Sequence, residues 1–138
     1  MKTLLVLRHA KSSWGDAHLR DYDRPLNGRG RRDAPRMGRL LAEEGIVPDA
    51  ISTSTAKRAM DTARIVAEAA GYGGEVDGRE TLYEAAPHAY IRVLHGLADD
   101  VVTAMVVGHN PGVEGLVAGL TGASETMTTA NVARIALD

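Results

Sequence analysis

Short aliphatic runs alternate along the chain with longer segments in which an apolar residue recurs every three to four positions. Runs of this length that end at polar or turn residues are typical of strands buried inside a sheet. The pattern predicts strands at residues 2–7, 49–53, 103–107 and 132–137, with a further short strand at 75–77.

The first helical segment follows a polar stretch, residues 10–27, which predicts a loop. Asn27 is a good N-cap for a helix that runs to about Glu44. Pro35 lies inside this helix and is expected to kink it or to delay its start. Gly45 is expected to end it.

Three more helices are indicated further along the chain. Ser54 or Thr55 is expected to cap a helix that runs to about Ala70. Pro87 suits the first turn of the next helix, and Asn110 with the proline after it opens the last. Because strands alternate with helices, we expect one α/β domain over residues 1–138: a three-layer α/β/α arrangement around a mostly parallel sheet.

Composition narrows the possible functions. The chain has 138 residues, a formal net charge of −2 and no cysteine. Disulfides, thiolate catalysis and cysteine-bound zinc are therefore excluded, and no net positive charge favours nucleic acid or an anionic membrane. No apolar run reaches the ~20 residues of a membrane span, so we expect a cytoplasmic protein that does not bind membranes.

Two histidines follow directly after predicted strands. Arg8 and His9 come after the first run, and His109 comes after the run at 103–107. In open α/β sheets, ligands bind beyond the carboxyl ends of the strands. If these two strands are neighbours, two imidazoles and a guanidinium meet at one edge, which is a suitable environment for a phosphoryl group.

Several sequence motifs extend this pattern in a fixed order. They are LRHAKS, DRPLNGRGRRDA, STSTAKRAMDTA with Ser54, Arg58, Ala59 and Thr62, LYEAAP, and VVGHNPGV. Together they resemble the histidine phosphatase (phosphoglycerate mutase-like) superfamily over essentially the whole chain. The length and the ending TTANVARIALD are most similar to the compact SixA-type phosphohistidine phosphatases, which lack the insertions of mutases and acid phosphatases.

The resemblance implies a phosphoglycerate mutase-like fold and a role for each matching residue. His9 would be the nucleophile that forms a covalent phosphohistidine, and a backbone carbonyl would hold its other ring nitrogen. Arg8 and Arg58 would bind phosphoryl oxygens. His109 would donate to a phosphoryl oxygen, as an imidazolium in the complex. No cofactor or metal ion is implied.

Glu84 occupies the place where the superfamily keeps its general acid, after Leu82 and Tyr83. It could be that acid, a base that orients water, or a surface carboxylate. An alkoxide leaving group needs an acid, whereas the imidazole of a phosphohistidine needs less help. Glu80 is the competing carboxylate if the alignment is shifted.

One position departs from the family pattern. In mutase-type members, an asparagine that touches the phosphate follows the tryptophan of the first motif, but Gly15 follows Trp14 here. The missing contact could come from the hydroxyl of Ser12 or of Ser54, and we expect Ser12 to bind phosphate.

The leading hypothesis is a monomeric phosphatase that acts on a phosphorylated protein, such as a phosphohistidine carrier domain. Alternatives are a small-molecule phosphomonoesterase, a mutase, a non-catalytic phosphate-binding module, or a metal hydrolase using His9, His109 and Glu84. Arg8 and Arg58 would repel a dication, which disfavours the metal site. We expect surface or core-edge positions for His18, His88 and His95. We expect a solvated helix face for the arginines at 29, 31, 32, 36 and 39.

Overall fold

The computed structural model describes residues 1–137, and within them five strands form one sheet. The strands are β1 (Thr3–Arg8), β2 (Ala50–Ser54), β3 (Val76–Arg79), β4 (Thr103–Gly108) and β5 (Val132–Ala136). Their order is β3-β2-β4-β1-β5. The first four are parallel to one another, and β5 pairs antiparallel with β1. The predicted mostly parallel sheet is confirmed.

Helices cover both faces of the sheet. They are α1 (Gly28–Glu43), α2 (Lys57–Ala70), α3 (Pro87–His95) and α4 (Gly112–Thr121). Leu5 and Leu7 of β1 pack with α1 and α2, while Leu4 and Val6 pack with α3 and α4. This alternation gives the predicted three layers. No helix in residues 1–137 is long and apolar enough to cross a membrane.

Helix α1 starts where its cap residue predicts. The side chain of Asn27 accepts a hydrogen bond from the backbone nitrogen of Gly30 at 2.9 Å. Pro35 lies in the middle of α1 and does not delay its start, contrary to one of the two expectations. Because proline has no backbone N–H, α1 lacks one hydrogen bond from position 35 to the preceding turn.

Helix α2 starts later than predicted. Its N-cap is Ala56, which makes no side-chain capping bond, so the expected cap by Ser54 or Thr55 is wrong. Ser54 is still part of β2, where it pairs with Arg79 of β3. Its hydroxyl instead accepts a hydrogen bond from the nitrogen of Ala56 at 3.2 Å.

Strand pairing explains the remaining differences in element boundaries. β2 ends at Ser54 and β3 at Arg79, past the predicted ends at Thr53 and Asp77. They extend this far because the two strands pair with each other up to these residues, which are polar. Hydrophobic periodicity gives no signal for such positions. The predicted loop at 10–27 contains a short 3₁₀ turn at Asp21–Asp23 and an isolated bridge between Ser12 and Leu26.

The two helices on one face approach each other closely at Gly38 of α1. A Cβ atom at this position would lie 2.5 Å from the carbonyl oxygen of Val66 and 2.6 Å from the Cβ of Ala69. Both neighbours belong to α2, and one of them is backbone. Glycine is therefore what lets α1 pack against α2 at this distance.

Candidate active site

The two strand-end histidines lie side by side. β1 and β4 are neighbours, with Arg8 opposite Gly108 in the parallel register. The backbone nitrogen of His9 donates to the oxygen of Gly108 at 3.0 Å. The rings of His9 and His109 have centroids 5.1 Å apart, and the side chains are 7% and 8% exposed. The predicted meeting of the two imidazoles is confirmed.

His9 is held as a neutral imidazole with one nitrogen free. Its Nδ1 lies 2.7 Å from the carbonyl oxygen of Ala10. Because a carbonyl can only accept, Nδ1 carries the proton and Nε2 keeps its lone pair. Burial, with a further contribution from Arg58 and Arg8, lowers the pKa of His9 to about 4. The ring is therefore neutral near pH 7 and able to attack through Nε2.

His109 is also neutral in the free protein. Burial lowers its pKa to about 3, helped by the neighbouring His9 and Arg58. Its Nε2 lies 2.8 Å from the hydroxyl oxygen of Ser54, and its Nδ1 is buried with no hydrogen-bond partner in residues 1–137. The predicted imidazolium would therefore need a nearby anion, such as a bound phosphoryl group, to stabilise its charge.

Arg58 is the second residue of α2 and is buried against Asp21. It donates to the backbone oxygen of Asp21 at 2.6 Å and to the carboxylate Oδ2 at 2.9 Å. The Nε of Arg58 is buried and has no partner in the described part of the chain. Asp21 thus fixes the orientation of the guanidinium and leaves its Nε–H without a partner.

Asp21 also binds Tyr83, whose hydroxyl donates to Oδ2 at 2.7 Å. Partial burial opposes ionisation of this carboxyl group, but the hydrogen bonds from Tyr83 and Arg58 outweigh it and hold the pKa of Asp21 at about 2. Burial, together with Asp21, raises the pKa of Tyr83 to about 12, so its hydroxyl stays protonated. The Tyr83 ring packs edge-on against His109, with centroids 5.7 Å apart.

Arg8 is anchored by the loop that leads into β5. It donates to the carbonyl oxygen of Met127 at 3.0 Å, and its Nε is buried without a partner among residues 1–137. The carboxylate of Glu114 accepts from the Met127 nitrogen at 2.9 Å, and the Asn110 side chain donates to the Met127 oxygen at 2.9 Å. This network connects Arg8 to the start of α4.

Thr62, part of the second motif, connects α2 to the end of β1. Its hydroxyl donates to the carbonyl oxygen of Arg58 at 2.6 Å and accepts from the backbone nitrogen of Ala10 at 3.0 Å. Since Ala10 also holds the ring of His9, the Thr62 side chain connects His9 to Arg58.

Ser12 lies beside the site and is bound to a second arginine. Arg24 donates to the Ser12 hydroxyl at 2.8 Å and to the Asp21 carboxylate at 3.1 Å. The guanidinium of Arg24 stacks on Trp14, 3.4 Å from the ring centroid, and Trp14 is 75% exposed. Phosphate binding by Ser12 stays a prediction.

Glu84 lies at the mouth of the site. It is exposed, has a left-handed φ of 54°, and lines an open pocket of about 430 Å³ together with Asp21, Arg58, Tyr83 and His109. Its place in this pocket is compatible with each of its three predicted roles. Glu80, the competing carboxylate, lines a different pocket with Arg20 and Tyr22.

Two alternatives for the histidines can be compared with the geometry. Among residues 1–137, no three side chains of histidine, aspartate or glutamate are grouped so that they could hold a metal ion. His9, His109 and Glu84 therefore do not form the metal site considered from the sequence. His18, His88 and His95 are exposed, as expected for surface residues.

Curated relatives share the sequence over much of the chain. An uncharacterised chloroplast protein of Arabidopsis thaliana is 34% identical over 96% of this chain, which spans 65% of that relative. An uncharacterised protein of Mycobacterium leprae is 34% identical over 84% of this chain and 71% of its own length. A 2,3-bisphosphoglycerate-dependent phosphoglycerate mutase of Thermobifida fusca is 48% identical, but over only 51% of this chain and 30% of the mutase.

Solved structures share the fold. A SixA protein from Agrobacterium tumefaciens is 28% identical and superimposes with a TM-score of 0.90 over 98% of this chain and 91% of its own. The protein histidine phosphatase SixA in complex with tungstate has a TM-score of 0.81 at 24% identity, over 99% and 88% of the two chains, and shows the shared fold. The sequence profile of the histidine phosphatase superfamily (branch 1) matches residues 4–90. The chain therefore belongs to the histidine phosphatase superfamily.

Proposed function

We propose that the protein is a phosphatase that transfers a phosphoryl group first to His9 and then to water, and that its substrate is a phosphohistidine on another protein. One observation carries this proposal. The His9 ring lies 5.1 Å from the His109 ring, and Arg58 and Arg8 are near enough to help lower its pKa. Each of these three neighbours has a buried ring or guanidinium nitrogen without a partner in residues 1–137. Unpaired buried polar atoms are costly, and a phosphoryl group would satisfy them.

In the first step, Nε2 of His9 attacks phosphorus in line with the leaving group. The Nε2–P bond forms while the bond from phosphorus to the leaving atom breaks, and the leaving atom keeps the electron pair. Arg8, Arg58 and His109 bind the three phosphoryl oxygens, over which the transition-state charge is spread. His9 carries the phosphoryl group and becomes a phosphoimidazolium, since Nδ1 keeps its proton.

In the second step, water attacks the same phosphorus. The oxygen of water bonds to phosphorus, the P–N bond breaks, and its electron pair returns to Nε2 of His9. Both protons of the water leave with the product as dihydrogen phosphate, which then loses a proton to solvent. Glu84 is the proposed residue for orienting this water, because it lines the pocket outside His109.

The openness of the site supports a protein substrate. The pocket is lined by short side chains such as Ala85 and Ala86, and exposed residues form its rim, so a phosphorylated side chain can reach it. The similarity to SixA proteins points the same way. We further propose that the protein acts as a monomer in the cytoplasm.

A small-molecule phosphomonoesterase is the second candidate, and the position of Glu84 favours it. An alkoxide leaving group must be protonated as it departs, and Glu84 is the carboxyl group that lines the pocket without an ion pair in residues 1–137. A mutase is less well supported, because the mutase relative matches only 51% of this chain.

The substitution His9→Ala tests the covalent mechanism. We expect kcat/KM for 4-nitrophenyl phosphate and for a histidine-phosphorylated protein to fall by at least about a thousandfold, since the nucleophile is lost. Protein quenched with an alkaline denaturant should carry a base-stable, acid-labile phosphoryl group only when His9 is present. His95→Ala is the matched control, because His95 is exposed at the end of α3.

Full activity of His9→Ala would contradict the mechanism. Wild-type protein that binds phosphate but turns over neither substrate would instead identify a non-catalytic phosphate-binding module.

A further inference from the structure

Two carboxylates stand at the outer end of the site. Asp21 and Glu84 both line the pocket of about 430 Å³, and the cation that lines it with them is Arg58. Arg58 is buried and already donates to the Asp21 carboxylate at 2.9 Å. Within residues 1–137, Glu84 has no ion pair at all. The pocket lining therefore has a net negative charge at neutral pH.

The leaving group would occupy this pocket. His9 and Arg8 do not line it, whereas Arg58 and His109 do, so the pocket lies beyond the place where these four residues meet. In-line displacement puts the leaving atom on the side of phosphorus opposite the nucleophile. Because His9 does not line the pocket, the side of phosphorus opposite His9 faces the pocket, and the departing group would point toward Asp21 and Glu84.

Once a phosphoryl dianion is bound, Arg58 no longer offsets the carboxylates. Its unpaired Nε would bind the phosphoryl group, and its other nitrogens are already bound to Asp21. A leaving group that carries a positive charge is then attracted by the pocket wall, and one that carries a carboxylate is repelled. Both effects act at distances of a few ångströms, where charge interactions remain significant even near solvent.

We infer that Asp21 and Glu84 form a charge filter that favours phosphorylated substrates with a cationic leaving group and disfavours those with an acidic one. This inference rests on the proposed function and specifies its substrate class. A phosphohistidine protonated on its second ring nitrogen has such a leaving group. When its P–N bond breaks, the departing nitrogen keeps the electron pair and the imidazole leaves neutral, with no proton needed from the enzyme.

Two small phosphoesters of similar size and opposite charge test the filter. O-phosphoethanolamine carries an ammonium group, and 2-phosphoglycolate carries a carboxylate. We expect wild-type kcat/KM to be about tenfold or more higher for the ammonium ester. In Glu84→Gln this ratio should fall about three- to fivefold, and Asp21→Asn should lower it as well. The ratio cancels any loss of activity that is common to both esters.

Glu68→Gln is the matched control, since Glu68 is an exposed carboxylate in the last turns of α2, far from Arg58 along the helix. It should leave the ratio unchanged. If turnover of the two esters is too slow to follow, their inhibition constants against 4-nitrophenyl phosphate give the same comparison.

The outcomes separate this inference from the proposed function. Hydrolysis of 4-nitrophenyl phosphate with a wild-type ratio near one, or with a ratio that neither substitution changes, would overturn the charge filter alone. If neither the three compounds nor a histidine-phosphorylated protein is hydrolysed, both the proposed function and the filter are overturned.

Discussion

At the scale of single residues, the hydroxyl group of Thr62 connects two parts of the site through two hydrogen bonds. Its hydroxyl is fully buried, donates to the oxygen of Arg58 and accepts from the nitrogen of Ala10. One bond orders the first turn of α2, and the other orders the segment that holds the His9 ring. Thr62 touches neither the proposed substrate nor the reacting atoms, so it is a positioning residue.

The substitution Thr62→Val keeps the shape of the side chain and removes both hydrogen bonds. We expect a loss of about 1–3 kcal/mol in the free energy of unfolding, because the N–H of Ala10 stays buried without an acceptor. We also expect kcat to fall more than KM changes, since His9 would be less well oriented. Urea unfolding and steady-state kinetics measure the two effects.

Thr62→Ser is the control, because serine keeps the hydroxyl. Wild-type behaviour of Thr62→Val in both assays would show that these two hydrogen bonds do not order the site.

The strand ends predicted that His9 and His109 meet, and the resemblance to histidine phosphatases added Arg58 to the site. They did not predict Asp21 or Tyr83 as partners of the site. Asp21 lies in a loop without periodicity, and its bonds to Arg58 and Tyr83 span 37 and 62 positions. Only the fold brings such distant positions together. A weak signal was available in the DYDR stretch, where acidic and basic residues recur at a spacing of three.

At the scale of elements, the contact between α1 and α2 depends on Gly38. We expect Gly38→Ala to lower the free energy of unfolding by about 1–3 kcal/mol, because the new methyl group would meet the backbone oxygen of Val66 and force the helices apart. Thermal unfolding followed by circular dichroism measures this change.

Gly119→Ala is the matched control for that experiment. Gly119 lies in α4, and a Cβ there would have nothing within 4 Å. Alanine should instead stabilise this helix by about 0.5–1 kcal/mol, since it loses less backbone entropy than glycine. If both substitutions shift the melting temperature in the same direction, the result would contradict the conclusion that α1 and α2 pack too closely at Gly38 to accept a methyl group.

Elements with a local signal were predictable, and elements shaped by pairing were less so. The side-chain cap at Asn27 and the proline that begins α3 act on the adjacent helical turn, so their positions follow from sequence. β3 has only four residues, of which Val76 alone is apolar. The sequence predicted only a short strand at 75–77, and its extension to Arg79 depends on pairing with β2.

At the scale of the whole molecule, the two buried histidines make stability depend on pH. The pKa of His9 falls from 6.5 to about 4 on folding, and that of His109 falls from 6.5 to about 3. Between pH 6.5 and 4, the unfolded chain binds protons that the folded protein does not. The free energy of unfolding should therefore fall as the pH is lowered through this range, by up to about 1.4 kcal/mol per pH unit for each histidine.

Urea unfolding at pH 7, 6, 5 and 4.5 measures this slope. His9→Asn should reduce it, whereas His88→Asn should not, because His88 is exposed. Asp21 affects stability only at lower pH, because folding lowers its pKa from 3.8 to about 2. Its contribution to the free energy of unfolding is lost progressively as the pH falls below 4. A stability that stays constant from pH 7 to 4.5 would mean that the histidines are not held neutral by burial.

The stacking of Trp14 on Arg24 places a fluorescent side chain at the rim of the site. Trp14 is the one tryptophan in the sequence, so all indole fluorescence of the protein comes from this position. Arg24 reaches Asp21, and Asp21 reaches Arg58, so the indole is three side chains away from the proposed phosphate. The molecule thus carries a built-in spectroscopic reporter at the entrance of its site, with no second indole in the sequence to compete with it.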